Sequence, residues 1–134
     1  GDLFVVRVAG NFVNEDGLAS LEYAVKFLNT PLVMVLGHSG CGAVDAAIKV
    51  VREQATLPGH LQGMLREIKP AVEAVQGRGQ ADLLSAAVAE NVRLGVRRLQ
   101  SAAPILVELV QSKTISVVGA QYDLASGKVE VLPA

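Results

Sequence analysis

Several features are scarce in this sequence, and each absence excludes a class of protein. The 134-residue chain has one cysteine, so it cannot hold an intrachain disulfide framework. Its 12 basic and 13 acidic residues nearly balance, and no basic stripe with interleaved aromatics argues for a nucleic-acid partner. No apolar run approaches the ~20 residues that a membrane span needs, and no targeting segment is visible. We therefore expect a cytoplasmic protein without nucleic-acid or membrane partners.

Apolar residues, by contrast, are plentiful and arranged in two periodicities. They make up 51% of the chain, and most are Ala, Val and Leu. Runs of strand length and propensity occur at 3–8, 31–37, 114–124 and 128–134. Helical spacing occurs at 18–29, 43–54, 60–76, 81–100 and 103–113. The order predicts a single α/β domain over residues 1–134, with a mostly parallel central β-sheet flanked by helices and a C-terminal hairpin strand pair.

Local signals add detail to this prediction. Asp16 is the predicted N-cap of the first helix, and Pro70 is expected to bend or divide the third. A turn is predicted at 77–80. The chain begins with Gly1 and enters the predicted strand at 3–8 almost at once. Because a chain rarely begins inside its own core, we expect an N-terminal portion to be missing from this sequence.

The segment VMVLGHSGCGAV, residues 33–44, is the candidate functional motif. His38 and Cys41 lie three residues apart where the predicted strand turns into a helix. Imidazole and thiolate together favour zinc, and the start of a helix favours a negative thiolate. Three glycines permit a tight backbone around the pair: Gly37, Gly40 and Gly42. The motif also lies at the carboxyl end of a strand, where open α/β sheets bind ligands.

Taken alone, this motif leaves other interpretations open. The cysteine can be a small buried apolar residue and the glycines simple turn residues. The glycines can cradle a phosphate, although the motif lacks the Lys-Ser/Thr of a P-loop. Cys41 can also be a nucleophile paired with His38, although no orienting partner is evident. A zinc ion would need at least a third protein ligand, and the chain has no second cysteine.

A longer pattern resembles the β-class carbonic anhydrases. EYAV at 22–25 is followed by VMVLGHSGCG, as in the family's signature of Glu/Gln-Tyr/Phe-Ala leading to Gly-His-x-x-Cys-Gly. FVVRVAGN at 4–11 resembles the family's preceding strand and loop, and 117–132 resembles its closing hairpin. The resemblance thus covers nearly the whole chain, and its central signature, residues 22–42, is specific.

The resemblance implies an activity and a metal. The family hydrates carbon dioxide reversibly to bicarbonate and a proton, and it uses one zinc ion held by Cys, His and Cys. His38 and Cys41 match the second and third of these ligands. Family members are dimers or higher assemblies, so a homodimer or larger homo-oligomer is expected.

The resemblance also suggests roles for residues around the metal. Arg7 and Tyr122 match residues that bind a regulatory bicarbonate in some members, although an interface ion pair is the more ordinary explanation for Arg7. The remaining matches belong to the active-site loops: Gly10, Asn11, Ser39, Gly40 and Gly42.

One part of the family pattern is absent. The first zinc cysteine and a catalytic Asp–Arg pair belong to a Cys-x-Asp-Ser-Arg motif upstream of the strand at 3–8, and residues 1–134 do not contain it. The printed chain is therefore expected to bind zinc weakly and to turn over poorly. Two alternatives remain: an inactive relative that serves as a binding or assembly module, and a zinc hydrolase of another small linear molecule such as carbon disulfide.

Overall fold

The computed structural model describes residues 1–77 and 82–133, and this part of the chain forms five helices and three strands. The helices are α1 (Glu15–Phe27), α2 (Gly42–Glu53), α3 (Leu61–Gln76), α4 (Leu83–Gln100) and α5 (Ile105–Gln111). The strands are β1 (Leu32–His38), β2 (Ser116–Tyr122) and β3 (Val129–Val131). The turn predicted at 77–80 lies, apart from Gly77, outside the described residues.

The three strands form one sheet in the order β1-β2-β3. β1 and β2 are parallel, and their register runs from Leu32 opposite Ser116 to His38 opposite Tyr122. β2 and β3 are antiparallel, with Tyr122 opposite Val129. The α/β class and the C-terminal hairpin are therefore confirmed. The register also places the end of β1 beside the start of the hairpin turn.

Helix α4 is the central packing element. Its side chains contribute to both apolar clusters, one beneath the sheet and one between α2 and α3. Glycines allow the helix to approach the strands closely. A Cβ atom on Gly119 would lie 2.8 Å from Val92 Cγ1, and one on Gly95 would lie 3.0 Å from Val35 Cγ1. Both distances are shorter than ordinary carbon–carbon contacts, so larger residues would push α4 off the sheet.

The strand predicted at 3–8 is wrong. Residues 1–8 have no regular secondary structure, and Leu3 and Val5 are 83% and 63% exposed. A β-strand forms only when a neighbour accepts and donates its backbone hydrogen bonds. Among the described strands, β1 pairs with β2 alone, so no described strand is hydrogen-bonded to residues 3–8 as a sheet partner. The Val-rich composition expresses strand propensity, but propensity without a partner does not make a strand.

This segment and the sheet both line an apolar groove. The groove has a volume of about 1040 Å³, and its lining includes residues 2–14 and residues 32–38 of β1. Leu32, Met34 and Leu36 are exposed along β1, while the alternate residues Val33 and Val35 are buried. The groove therefore follows an unpaired edge of the described sheet and reaches His38.

Two helix details differ from the sequence prediction. Helix α1 begins one residue before Asp16, because the N-cap is Asn14, whose Oδ1 accepts a hydrogen bond from the N–H of Gly17 at 2.8 Å. Pro70 does not divide α3, which is continuous. Ile68 and Val72, on either side of Pro70, are fully buried in the same apolar cluster. Tertiary packing of this face therefore offsets the backbone hydrogen bond that proline cannot make.

Candidate metal centre

His38 and Cys41 lie at the two ends of the turn that joins β1 to α2. His38 is the last residue of β1, and Cys41 is the N-cap of α2. The Cys41 side chain is 3% exposed and makes no capping hydrogen bond. Its sulfur therefore lies at the N-terminal end of α2. The predicted position of this pair on a strand-to-helix turn is confirmed.

The imidazole of His38 is oriented by the turn itself. Nδ1 of His38 lies 2.9 Å from the carbonyl oxygen of Ser39. A carbonyl oxygen can only accept, so Nδ1 must carry the proton. The other ring nitrogen, Nε2, is then unprotonated in the neutral ring and available as a metal ligand.

Ser39 is held by the hairpin turn that follows β2. Its N–H donates to the carbonyl of Tyr122 at 2.9 Å, and its Oγ donates to Oδ1 of Asp123 at 3.2 Å. Its Oγ also accepts from the N–H of Leu124 at 2.9 Å. The sequence analysis did not identify Asp123. Its signal was the turn sequence Asp-Leu-Ala-Ser-Gly, in which an Asp side chain commonly accepts bonds from residues further along.

The three glycines of the motif, Gly37, Gly40 and Gly42, have different structural surroundings. Gly40 has φ +65°, a left-handed conformation that other residues rarely adopt. Gly37 is required by packing, since a Cβ there would lie 2.6 Å from Val92 Cγ2. Gly42 has no atom within 4 Å of a Cβ position and begins α2. The prediction that all three permit a tight backbone is therefore correct for the turn at Gly40 only.

The loop formed by Gly10 and Asn11 is anchored by a buried side chain. Both residues have positive φ, +80° and +42°. Nδ2 of Asn91, in α4, donates to the Gly10 carbonyl at 2.7 Å and to Oδ1 of Asn11 at 3.3 Å. Nδ2 of Asn11 is buried and has no acceptor among the described residues. The sequence analysis missed Asn91, although an amide within the apolar stripe of a helix is the usual signal of a buried polar contact.

We expect Asn91→Ala to lower the free energy of unfolding by about 1–3 kcal/mol, because it leaves the Gly10 carbonyl without its buried donor. Urea unfolding at neutral pH measures this change. Gln100→Ala is the matched control, since it removes an exposed amide from the same helix and is expected to change stability by less than about 0.5 kcal/mol. Equal effects of the two substitutions would contradict the anchoring role.

Arg7 and Tyr122 both line the apolar groove. Arg7 belongs to the exposed segment before the Gly10 loop, and Tyr122 ends β2 opposite His38. Among the described residues Arg7 forms no salt bridge. Their suggested role in bicarbonate binding stays a prediction.

The described part of the chain contains no cluster of three or more His, Cys, Asp or Glu side chains able to hold a metal ion. His38 and Cys41 are the candidate ligands, and their binding of a metal stays a prediction. None of the described helices is both long and apolar enough to span a bilayer.

The fold and this pair of side chains define a class: an α/β protein with a histidine and a cysteine on the turn that follows the carboxyl end of a central strand. The carbonic anhydrase family model matches residues 1–129. Carbonic anhydrase 2 of Mycobacterium tuberculosis is 37% identical over 131 residues, covering 96% of this chain and 61% of the relative. The chain spans about three fifths of the length of such curated relatives.

Solved structures agree with the sequence comparison. The β-carbonic anhydrase CcaA superposes with a TM-score of 0.85 at 30% identity, covering 99% of this chain and 68% of that one. A tetrameric β-carbonic anhydrase of Sordaria macrospora gives a TM-score of 0.90 at 25% identity, covering 100% of this chain and 70% of that one. The chain belongs to the β-carbonic anhydrase family.

Proposed function

We propose that the protein containing this chain catalyses the reversible hydration of carbon dioxide to bicarbonate and a proton, with one zinc ion held in part by His38 and Cys41. The observation that carries the proposal is the pair itself. In a chain of the β-carbonic anhydrase family, an imidazole with a free Nε2 and a buried cysteine at a helix N-terminus flank one turn.

The donor set suits zinc better than harder cations. A thiolate and an imidazole are the side chains that structural and catalytic zinc sites share, whereas calcium and magnesium prefer oxygen ligands. When bound, zinc lowers the pKa of a coordinated water towards neutrality and supplies hydroxide for attack on carbon dioxide. The protein's own contribution is orientation: the Ser39 carbonyl retains the Nδ1 proton of His38, and the backbone of α2 holds Cys41.

The apolar groove beside β1 includes His38 in its lining. Met34, Leu36, Val6 and Tyr122 line it as well. The Gly10 and Asn11 loop lines the same groove, which agrees with its proposed place in the active site.

We place the third protein ligand in a segment preceding Gly1, as the family's Cys-x-Asp-Ser-Arg motif implies. Two facts support this proposal. The described residues contain no cluster of three or more side chains able to hold a metal ion, and β1 has an unpaired edge that leads to His38. The same segment would bring the Asp–Arg pair to the centre, and residues 1–134 would then be one part of a larger single domain.

A homo-oligomer is the second element of the proposal. The relative from Sordaria macrospora is tetrameric. Tyr23, Phe27 and Leu28 are exposed on one end of α1, at 52%, 69% and 51%, and such apolar surface commonly lies at interfaces. Light scattering during size-exclusion chromatography of the full-length protein tests the proposed homo-oligomer. A mass of two or more chains supports it, and a monomer at micromolar concentration contradicts it.

The function is tested by zinc content and carbon dioxide hydration, measured in parallel on residues 1–134 and on the product of the full reading frame. We expect the longer protein to carry about one zinc per chain and to be active, and the shorter chain to carry little. Elemental analysis and stopped-flow hydration assays give the two readings. A longer protein without zinc would overturn the assignment and leave His38 and Cys41 as structural residues.

A further inference from the structure

The carboxylate of Asp123 is the centre of a hydrogen-bond network that reaches the candidate metal centre from the hairpin turn that follows β2. Oδ2 accepts from both the N–H and the Oγ of Ser126, within the hairpin turn. Oδ1 accepts from Oγ of Ser39, which is 84 residues away in sequence. The same carboxylate thus belongs to the hairpin turn and to the motif that carries His38 and Cys41.

Backbone hydrogen bonds close the hairpin turn. The N–H of Asp123 donates to the Lys128 carbonyl at 2.8 Å, and the N–H of Gly127 donates to the Asp123 carbonyl at 2.8 Å. The Ser126 hydroxyl and backbone N–H hold the pKa of Asp123 below its usual range. Asp123 is therefore a charged acceptor at neutral pH, and charged acceptors make the stronger hydrogen bonds.

Ser39 connects the hairpin turn to His38. Its N–H, both roles of its hydroxyl and its carbonyl are all engaged, with Tyr122, Asp123, Leu124 and His38 respectively. The carbonyl that accepts from Nδ1 of His38 thus belongs to a residue fixed by three contacts with the hairpin. A displaced Ser39 would release the Nδ1 proton, and the neutral ring would then be free to carry its proton on Nε2, the nitrogen that a metal needs.

We propose that Asp123 is a positioning residue for the metal centre: through Ser39 it holds His38 in the tautomer whose Nε2 is free. The inference rests on the proposed function, because it assigns the free Nε2 to zinc. Asp123 touches no ligand atom in this scheme, and its effect passes through Ser39, from the hydroxyl that donates to Asp123 to the carbonyl that accepts from His38. Outer partners of this kind commonly change metal affinity 10–100-fold.

The chain offers matched variants that separate positioning from turn stability. Asp123→Ala removes all hydrogen bonds of the carboxylate, both those within the hairpin turn and the one to Ser39. Ser39→Ala removes only the hydrogen bonds of the Ser39 hydroxyl. Ser126→Ala removes bonds within the hairpin turn but leaves Ser39 in contact with Oδ1. Asp123→Asn keeps an oxygen acceptor of the same shape, so it should restore much of the wild-type behaviour.

The first measurement is the tautomer of His38 in the metal-free chain, read from ¹⁵N chemical shifts at a pH where the ring is neutral. The sequence has 2 histidines, and the other, His60, is exposed and serves as an internal control. We expect the Nδ1–H form in the wild type, in Ser126→Ala and largely in Asp123→Asn. We expect Asp123→Ala and Ser39→Ala to shift His38, but not His60, towards Nε2–H.

The second measurement is the dissociation constant of the full-length protein for Zn²⁺, obtained by competition with a chelator. Asp123→Ala and Ser39→Ala are expected to weaken binding by about 10–100-fold, and Ser126→Ala by less than about 2-fold. If Asp123→Ala does not fold, Ser39→Ala carries the same test. Wild-type tautomer and affinity in a folded Asp123→Ala or Ser39→Ala variant would overturn the inference and leave the proposed function intact. A shifted tautomer in a protein that never binds Zn²⁺ would overturn the proposed function, while Asp123 would still position His38.

Discussion

Cys41→Ser is expected to lower the zinc affinity of the full-length protein by more than about 100-fold and to abolish measurable carbon dioxide hydration. The substitution replaces a soft thiolate by a hydroxyl, which stays protonated at neutral pH and is a poor zinc ligand. Removing an outer partner alone costs up to about 100-fold, so losing a direct ligand should cost more. Zinc content after dialysis and stopped-flow assays measure the two effects.

The stability of the metal-free Cys41→Ser protein is the control for folding. Cys41 is the N-cap of α2 and makes no side-chain capping bond, whereas serine is among the best N-cap residues. Stability of the metal-free protein is therefore expected to stay within about 1 kcal/mol of the wild type, because a new capping bond offsets burial of the hydroxyl. Zinc binding and activity at wild-type levels in Cys41→Ser would show that the cysteine is a structural residue.

Gly37→Ala is expected to lower the free energy of unfolding by about 1–3 kcal/mol, as overpacking does in well-packed interiors. The new Cβ would lie 2.6 Å from Cγ2 of Val92 and 3.2 Å from Cγ1 of Val88. Both valines are fully buried and stiff at χ1, so α4 or β1 must move. Because His38 follows Gly37 directly, that movement should also weaken zinc binding in the full-length protein.

Gly42→Ala is the matched control, five residues further along the same motif. A Cβ at Gly42 meets no atom within 4 Å, and the residue lies in the first turn of α2. Alanine there should be neutral or should stabilise the protein by up to about 1 kcal/mol, since it restricts the unfolded chain. Urea unfolding of both variants decides the point. A Gly37→Ala protein as stable as Gly42→Ala would contradict the tight packing of α4 on β1.

The hairpin turn adds a pH dependence whose sign follows from Asp123. Hydrogen bonds from Ser126 lower the pKa of its carboxyl from the ordinary value of 3.8. A group with a depressed folded-state pKa stabilises the fold above its unfolded pKa, and this contribution is lost as the pH falls through the folded value. Unfolding measured from pH 5 downwards should therefore show a loss in the wild type that Asp123→Asn lacks.

Local sequence determined much of this protein. The position of His38 and Cys41 on a strand-to-helix turn follows from an apolar run, a glycine and a helical repeat, all within residues 31–54. The C-terminal hairpin likewise follows from two apolar runs around a short polar turn. These features depend on neighbours along the chain, so periodicity and turn chemistry were sufficient to predict them.

The tertiary structure decided the features that depend on distant partners. Residues 3–8 have strand composition, yet they form no strand, because β-pairing requires a second chain segment and no described strand pairs with them. Asp123 reaches Ser39 across 84 positions, and Asn91 reaches Gly10 across 81. Gly37 looks like a turn residue but is required by a helix more than 50 residues away. The sequence by itself determined which side chains are the candidate metal ligands. The packing of α4 and the hairpin decided how those side chains are held, because burial and hydrogen bonding between distant segments exist only once the chain has folded.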